Sequence, residues 1–268
     1  MKFKLGLCQI GGSFDKSESI KIADRHVREA AENGAQVITL PEMWNTPYAS
    51  KYFREYAEPA DGDTVQFMSK LANELGVYLI GGSISELDGD KVYNTAFCFD
   101  RKGEMIGRHR KVHLFDIDVK GGIRFMESDV LTPGEDMTVI ETEYCPIGVA
   151  ICYDVRFPEW FRKMALAGAK LIVLPAAFNM TTGPAHWDFT MRARALDNQV
   201  YFAANAPARD ENGVYVSYAN SCIVSPWGDF IAHADETQQI IYGDIDSERI
   251  ENVRNQLPLL KHRRPELY

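Results

Sequence analysis

The sequence predicts a layered α/β fold built from two similar halves, and three observations predict it. Short apolar runs of strand length alternate with segments whose apolar residues recur at helical spacing. The stretch Gly34-Ala35-Gln36-Val37-Ile38-Thr39-Leu40-Pro41 is echoed by Gly168-Ala169-Lys170-Leu171-Ile172-Val173-Leu174-Pro175. Each copy follows a helix and feeds an apolar strand ending in Leu-Pro, which points to pseudo-two-fold internal symmetry. No composition shift or low-complexity linker interrupts the chain, so residues 1–268 read as one domain.

The elements follow in order. Phe3, Leu5 and Leu7 alternate with small or polar residues as a first strand. A helix from about Ser19 to Asn33 carries Ile20, Ala23, Val27, Ala30 and Ala31 on one face and stops at Gly34. Val37 to Leu40 is a buried strand running into Pro41-Glu42. An aromatic-rich loop holding Trp44, Tyr48, Tyr52, Phe53 and Tyr56 leads to Asp63, a plausible N-cap for a helix closed by Gly76. Strands Val77 to Ser85 and Val92 to Phe99 flank the Asp88-Gly89 turn, and another runs from Met105 into Lys111.

The stretch from Val112 to Met137 has weak periodicity, and so long an irregular segment inside a domain is usually functional. Strands resume at Val139 to Thr142 and Ile147 to Ile151, followed by a helix from Phe157 to Ala167 and a strand from Leu171 to Leu174. His186 to Asp197 reads as a helix and Val200 to Ala204 as a strand. Late strands lie around Ser221 to Ser225 and Ile240 to Ile245, separated by Pro226-Trp227-Gly228-Asp229. Asp246 or Ser247 caps a last helix.

Composition narrows the function. Of the 268 residues 46% are hydrophobic and 25% charged, a globular balance. A net charge of −9 without a lysine- or arginine-rich run argues against a nucleic-acid ligand or an anionic membrane surface. The first residues lack a long apolar core, and no stretch reaches membrane-spanning length. Five cysteines, with no Cys-x-x-Cys, argue against a disulfide framework and for a reducing, cytoplasmic setting.

The chemistry concentrates in Gly148-Val149-Ala150-Ile151-Cys152-Tyr153-Asp154-Val155-Arg156-Phe157-Pro158-Glu159. Gly148 to Ile151 read as a buried strand, Cys152 stands where it stops, and Pro158 suits the first turn of a helix. A thiol at such a junction lies near unpaired backbone N–H groups and a positive helix end, which predicts a lowered pKa. Glu42 stands at a strand's end, where α/β sheets place their ligand sites. Lys111 lies in Arg108-His109-Arg110-Lys111-Val112-His113, which alone reads as a basic turn. His109 and His113 are four apart, but no third ligand at metal-binding spacing accompanies them. A Cys-His pair using His186 stays open at this point.

Leu40-Pro41-Glu42, Arg110-Lys111-Val112-His113-Leu114 and the Cys152 stretch, in that order, resemble the Glu, Lys and Cys boxes of the nitrilase (carbon–nitrogen hydrolase) superfamily. The likeness extends over essentially the whole chain. Phe115-Asp116-Ile117-Asp118-Val119, Phe178 to Trp187, Asp197 to Tyr201, Pro207 to Asp210 and Pro226-Trp227-Gly228 resemble its omega-amidase branch. The resemblance implies a four-layer αββα sandwich, assembled into homodimers or larger homo-oligomers through the helices beside the nucleophile.

It also implies roles. Cys152 attacks the amide carbon and forms a thioester, while Glu42 serves as general base and acid. Lys111 and the backbone N–H of Tyr153 stabilise the tetrahedral oxyanion. Glu127 orients the lysine and substrate. Arg156 grips the carboxylate of a small keto-acid amide, and Tyr48, Phe178 and Thr182 line the same pocket. Neither a metal nor an organic cofactor is implied. The neighbouring deaminated-glutathione amidase branch, whose pattern also suits Phe157-Pro158-Glu159 and Arg263 to Tyr268, is the alternative, with other small-amide or N-carbamoyl hydrolases beside it. A catalytically silent scaffold is a further one, distinguished by whether Cys152 is more reactive than the other four thiols.

Overall fold

Alternation along the first strand sorts side chains between two neighbouring cores. Phe3, Leu5 and Leu7 enter a core shared with a second sheet, whereas Cys8 and Ile10 pack with residues of two helices. The computed structural model describes residues 1–118 and 124–267. Val119 and Tyr268, which belong to two of the family-like stretches, lie outside the described residues.

The first half runs β1 (Lys2–Gln9), α1 (Lys16–Glu32), β2 (Val37–Thr39), α2 (Ser50–Phe53), α3 (Asp63–Leu75), β3 (Tyr78–Ile80), β4 (Ile84–Asp88), β5 (Lys91–Phe99) and β6 (Met105–Arg110). A hairpin of β7 (Asp116–Asp118) and β8 (Arg124–Met126) follows. The second half runs β9 (Thr138–Ile140), β10 (Ile147–Val149), α4 (Pro158–Leu166), β11 (Leu171–Pro175), α5 (Gly183–Asn198), β12 (Tyr201–Asn205), β13 (Cys222–Val224), β14 (Phe230–His233), β15 (Gln239–Asp246) and α6 (Ser247–Gln256).

The internal echo is a topological repeat. One sheet has the order β15-β1-β2-β3-β5-β4, with β6 also paired to β5; the other has the order β14-β13-β12-β11-β10-β9. In the first, β1, β2 and β3 are parallel, flanked by antiparallel β15 and β5. In the second, β10, β11 and β12 are parallel, flanked by antiparallel β9 and β13. Inward residues of both sheets, among them Leu5, Leu7, Val37, Val149 and Val173, form one apolar core. Helices α1 and α3 cover the outer face of the first sheet; α4 and α5 pack on the second. The layering is α-β-β-α, as the resemblance implies.

Several boundaries differ from the sequence reading for identifiable reasons. The strand expected over Val77 to Ser85 breaks into β3 and β4 at Gly81-Gly82. Gly82 has φ +62°, and a Cβ there would sit 2.1 Å from the Pro41 carbonyl oxygen. Gly62 takes the cap position expected for Asp63 at the start of α3, while the Glu58 carboxylate accepts from the Thr64 N–H at 2.8 Å. Helix α5 begins three residues before His186, with Pro184 in its first turn. Asp246 caps α6, accepting from the Glu248 N–H at 3.0 Å. The long segment after Lys111, read as irregular, contains the β7–β8 hairpin that delivers Glu127.

Candidate active site

Strand ends converge on one point between the sheets. Glu42 follows β2, Lys111 follows β6, Cys152 follows β10 and Ala177 follows β11. Glu42, Lys111 and Glu127 are all within 1% of full burial. Lys111 Nζ donates to Glu42 Oε1 at 3.0 Å and to Glu127 Oε1 at 2.9 Å. Glu42 Oε1 also accepts from Asn94 Nδ2 at 2.9 Å, and Glu42 Oε2 from the Ala177 N–H at 2.8 Å. Glu127 Oε2 accepts from the Phe115 N–H at 2.8 Å, and the Tyr48 hydroxyl donates to Oε1 at 3.2 Å. Both carboxylates are thus held from several sides, as a buried charge requires.

Burial disfavours the charge on Lys111, but Glu127 and Glu42 outweigh it and hold its pKa well above the ordinary lysine range. The group is an ammonium. Burial pushes Glu127 up, Lys111 pulls it down and Glu42 adds to the rise, leaving it raised.

Cys152 corrects one expectation. Its thiol is pushed well above the ordinary value, first by burial and then by Glu42, with Lys111 opposing. The predicted lowering assumed a helix starting at the sulfur. Residues Cys152–Arg156 instead form a 3-10 segment, and α4 starts only at Pro158. Cys152 therefore rests as a neutral thiol near a buried carboxylate, and its deprotonation needs a base. Cys152 has φ +45° and Met43, directly after Glu42, has φ +51°. Such non-glycine conformations cost about 1–3 kcal/mol each and gather at functional sites.

Cys152, Phe115, Tyr153, Arg156, Ala177, Phe178, Asn179, Thr182 and Tyr215 line a recess of about 10 Å³. That is room for one water, so a keto-acid amide enters only when a lining side chain moves. The Arg156 guanidinium lies 4.7 Å from the Phe178 ring centroid. Among the described residues no carboxylate pairs with it, and burial pulls its pKa down. Phe178 also packs edge-on against Trp187, so it serves core and recess together.

Tyr48 lines a cavity of about 270 Å³ together with Glu42, Trp44, Arg209 and Tyr215. Tyr215, whose ring meets that of Tyr48 at 4.7 Å, lines this cavity and the Cys152 recess alike, and the Tyr48 hydroxyl is held by Glu127. His186 is exposed on α5 and lines neither cavity, which removes the Cys-His alternative.

His109 and His113 converge on Asp154 rather than on a ligand. Asp154 Oδ1 meets His113 Nδ1 at 2.8 Å and the His113 N–H at 2.9 Å; Oδ2 meets the Ile151 N–H at 2.9 Å and His109 Nε2 at 3.5 Å. This carboxylate ties the strand carrying Lys111 to the segment carrying Cys152.

Asn94, Ala177, Asn179, Tyr215 and Asp154 escaped the sequence reading. Asp154 stands two residues from Cys152, and the echo marks Ala177 as lying just beyond a Leu-Pro corner. Asn94 and Tyr215 carry no local signal.

The profile of the carbon–nitrogen hydrolase family matches residues 4–255. Similar sequences include the omega-amidase NIT2 of Xenopus tropicalis, 51% identical over 100% of this chain and 97% of that protein. The omega-amidase NIT2 of Homo sapiens is 46% identical over 99% of this chain and 96% of that protein. Among solved structures, Saccharomyces cerevisiae Nit3, described as a member of branch 10 of the nitrilase superfamily, superposes with a TM-score of 0.91 at 42% identity, covering 98% of this chain and 97% of that one.

Proposed function

The chain belongs to the carbon–nitrogen hydrolase family, and from its site we propose that it is an omega-amidase. It would cleave the terminal amide of small α-keto acid amides, α-ketoglutaramate and α-ketosuccinamate, to the dicarboxylate and ammonia. The observation that carries this reading is the buried Glu42–Lys111–Glu127 cluster set against Cys152, with Arg156, which has no carboxylate partner among the described residues, lining the recess at Cys152. The relatives named omega-amidase supply the substrate class.

Glu42 takes the Cys152 proton as sulfur attacks the amide carbon. Burial raises the thiol pKa, so this base is indispensable at neutral pH. Lys111 and the Tyr153 N–H bind the oxygen as it becomes negative. Glu42 then returns the proton to the departing nitrogen, ammonia leaves, and a thioester remains. Water, deprotonated by Glu42, attacks the thioester and releases the acid. Glu127 keeps Lys111 aimed, and Tyr48 acts through Glu127. Arg156 binds the carboxylate end, with Phe178 and Thr182 beside it.

Residues 1–268 act as one catalytic unit, because Glu42 and Lys111 come from one half and Cys152 from the other. Exposed Leu166 on α4, with Phe189 and Leu196 on α5, supports association through the helices next to the nucleophile, as a homodimer or larger homo-oligomer. Five buried free thiols suit a reducing cytoplasm. No helix among the described residues is long and apolar enough to cross a membrane.

A second reading has one observation in its favour. The 270 Å³ cavity reaches Glu42, on the leaving-group side, where a dipeptide-like amine of deaminated glutathione could lie. Ammonia release from α-ketoglutaramate, compared with cleavage of deaminated glutathione, tests both. The omega-amidase reading requires higher kcat/KM for α-ketoglutaramate and loss of turnover in Cys152→Ala. A large preference for the tripeptide-like substrate would overturn it.

A further inference from the structure

Asn179 presents an unused donor in the Cys152 recess. Three donors converge on its Oδ1: the Thr181 N–H at 3.0 Å, the Thr182 N–H at 2.9 Å and the Thr182 hydroxyl at 3.1 Å. Two of these are backbone N–H groups that can only donate, so the atom they meet is the carbonyl oxygen and the amide orientation is fixed. The remaining polar atom, Nδ2, is buried and has no partner among the described residues. The residue is only 7% exposed and lines the recess with Arg156.

The backbone there is pinned as well. The Gly183 N–H donates to the Asn179 carbonyl at 2.8 Å and the Tyr218 N–H to the Phe178 carbonyl at 2.7 Å, while Asn179 pairs with Ser217. Turning Nδ2 elsewhere would break these contacts. A buried, unmatched amide N–H is costly, and it persists where an incoming group supplies the acceptor.

We propose that the Asn179 carboxamide is a substrate-binding donor that, together with Arg156, recognises the carboxylate end of the amide. The proposal rests on the amidase reading above and extends it. A guanidinium fork occupies two of the four acceptor sites of a carboxylate, leaving others for Nδ2. The opposite end of the substrate is accounted for by Cys152, Lys111 and Glu42. Thr182 then acts through Asn179, because its hydroxyl is already donated to Oδ1. It lines the recess, as the sequence implies, and positions Asn179 as well.

Asn179→Asp is the decisive variant. It keeps an oxygen for Thr181 and Thr182 and replaces the donor by a second acceptor of the same shape. Two readouts apply: KM and kcat for α-ketoglutaramate, and protection of Cys152 from iodoacetamide by the dicarboxylate product α-ketoglutarate. The expected result is a rise of about tenfold or more in KM and in the protecting concentration, the equivalent of one lost hydrogen bond to a charged group, with kcat changed far less. Asn179→Ser, which retains an acceptor without the amide donor, shows the same split and takes its place if the Asp variant does not fold. KM and protection unchanged in these variants, or a fall in kcat alone, overturn the proposal. A wild-type protein that neither cleaves α-ketoglutaramate nor is protected by its product would instead overturn the amidase reading itself.

Discussion

The Ala177 N–H donates to Glu42 Oε2 at 2.8 Å, joining residues that lie just beyond the two Leu-Pro corners of the internal echo. The corner after β2 supplies a carboxylate and the corner after β11 supplies the backbone that holds it. Ala177 also lines the recess beside Cys152, so one residue borders both the buried carboxylate and the thiol. Asn205 Nδ2 reinforces the junction by donating to the Thr39 carbonyl at 2.8 Å. The pseudo-symmetry therefore has a structural consequence: each half builds a corner, and the two corners meet at the Glu42 carboxylate.

Glu42→Gln keeps the shape of this junction and removes the base. Turnover of α-ketoglutaramate is expected to fall by about 10²–10⁴-fold, the usual contribution of general acid–base catalysis. Cys152 stays in place, so the loss should appear in kcat with little change in KM. Steady-state ammonia release measures it, and a variant retaining a tenth or more of wild-type kcat would remove Glu42 from the proton-transfer role.

Lys111→Met should cost activity and stability by different routes. Loss of an oxyanion donor lowers kcat by about 10²–10³-fold. Loss of the cation leaves Glu42 and Glu127 facing each other in the dry interior, at about 3–5 kcal/mol. Burial already pushes Glu127 up, and losing Lys111, which pulls it down, raises its folded pKa further above the unfolded value. Stability in this variant is therefore greatest below about pH 4 and lost as pH rises through the raised folded value. Thermal melting across pH checks the sign; a deficit that deepens on acidification contradicts it.

Much of this was legible in the sequence, for physical reasons that also mark the limits. β2 and β11 announced themselves because buried parallel strands are continuous apolar runs bounded by helices. The resemblance of the three boxes named Glu42, Lys111 and Cys152 before any geometry was known. Glu127 was harder, because the short β7–β8 hairpin that carries it has too few residues to show a period. The Cys152 pKa was misread because local position suggested a helix end, whereas burial and a carboxylate from the other half dominate. Asn94, central in β5, looks like any strand asparagine until Glu42 Oε1 is found 2.9 Å away.

Gly82→Ala should disturb Glu42 without touching it. The substitution places a methyl 2.1 Å from the Pro41 carbonyl oxygen, and φ +62° disfavours it in any case. A destabilisation above about 1 kcal/mol is expected, with a fall in kcat because the neighbouring carboxylate shifts. Unchanged melting and turnover together would show that the corner tolerates displacement.

The raised Cys152 pKa predicts a pH profile. A thiolate forms only as pH climbs toward that value, so alkylation of Cys152 by iodoacetamide should keep rising from about pH 6 to about pH 9 without levelling. Glu42 raises the pKa, so Glu42→Gln should move the curve to lower pH. Peptide mapping gives the rate at Cys152 separately from buried Cys8, Cys98, Cys145 and Cys222, which should lag. A plateau at neutral pH in the wild type would mean a pre-formed thiolate. Equal rates at all five thiols would favour a silent scaffold.

Asp154→Ala shares the sign of the Lys111→Met pH signature but reaches it by a different route. Burial alone would raise its pKa, but His109, His113 and the Ile151 N–H outweigh burial and hold it below the usual carboxylate range. A depressed folded pKa contributes stability that is fully present above about pH 4, the unfolded range, and is lost as pH falls through the folded value. Asp154→Ala orphans the Ile151 and His113 N–H groups and frees both imidazoles, at about 3 kcal/mol or more in all. That deficit is largest near neutrality and shrinks on acidification, because the wild type loses the same contribution there. The segment so released carries Cys152, and the strand end so released carries Lys111. Activity should therefore fall more steeply than melting temperature, and Asp154→Asn should recover stability only in part, since an amide offers one acceptor where a carboxylate offers two oxygens. Equal deficits at neutral and acidic pH would show that the carboxylate is not what holds the two elements together.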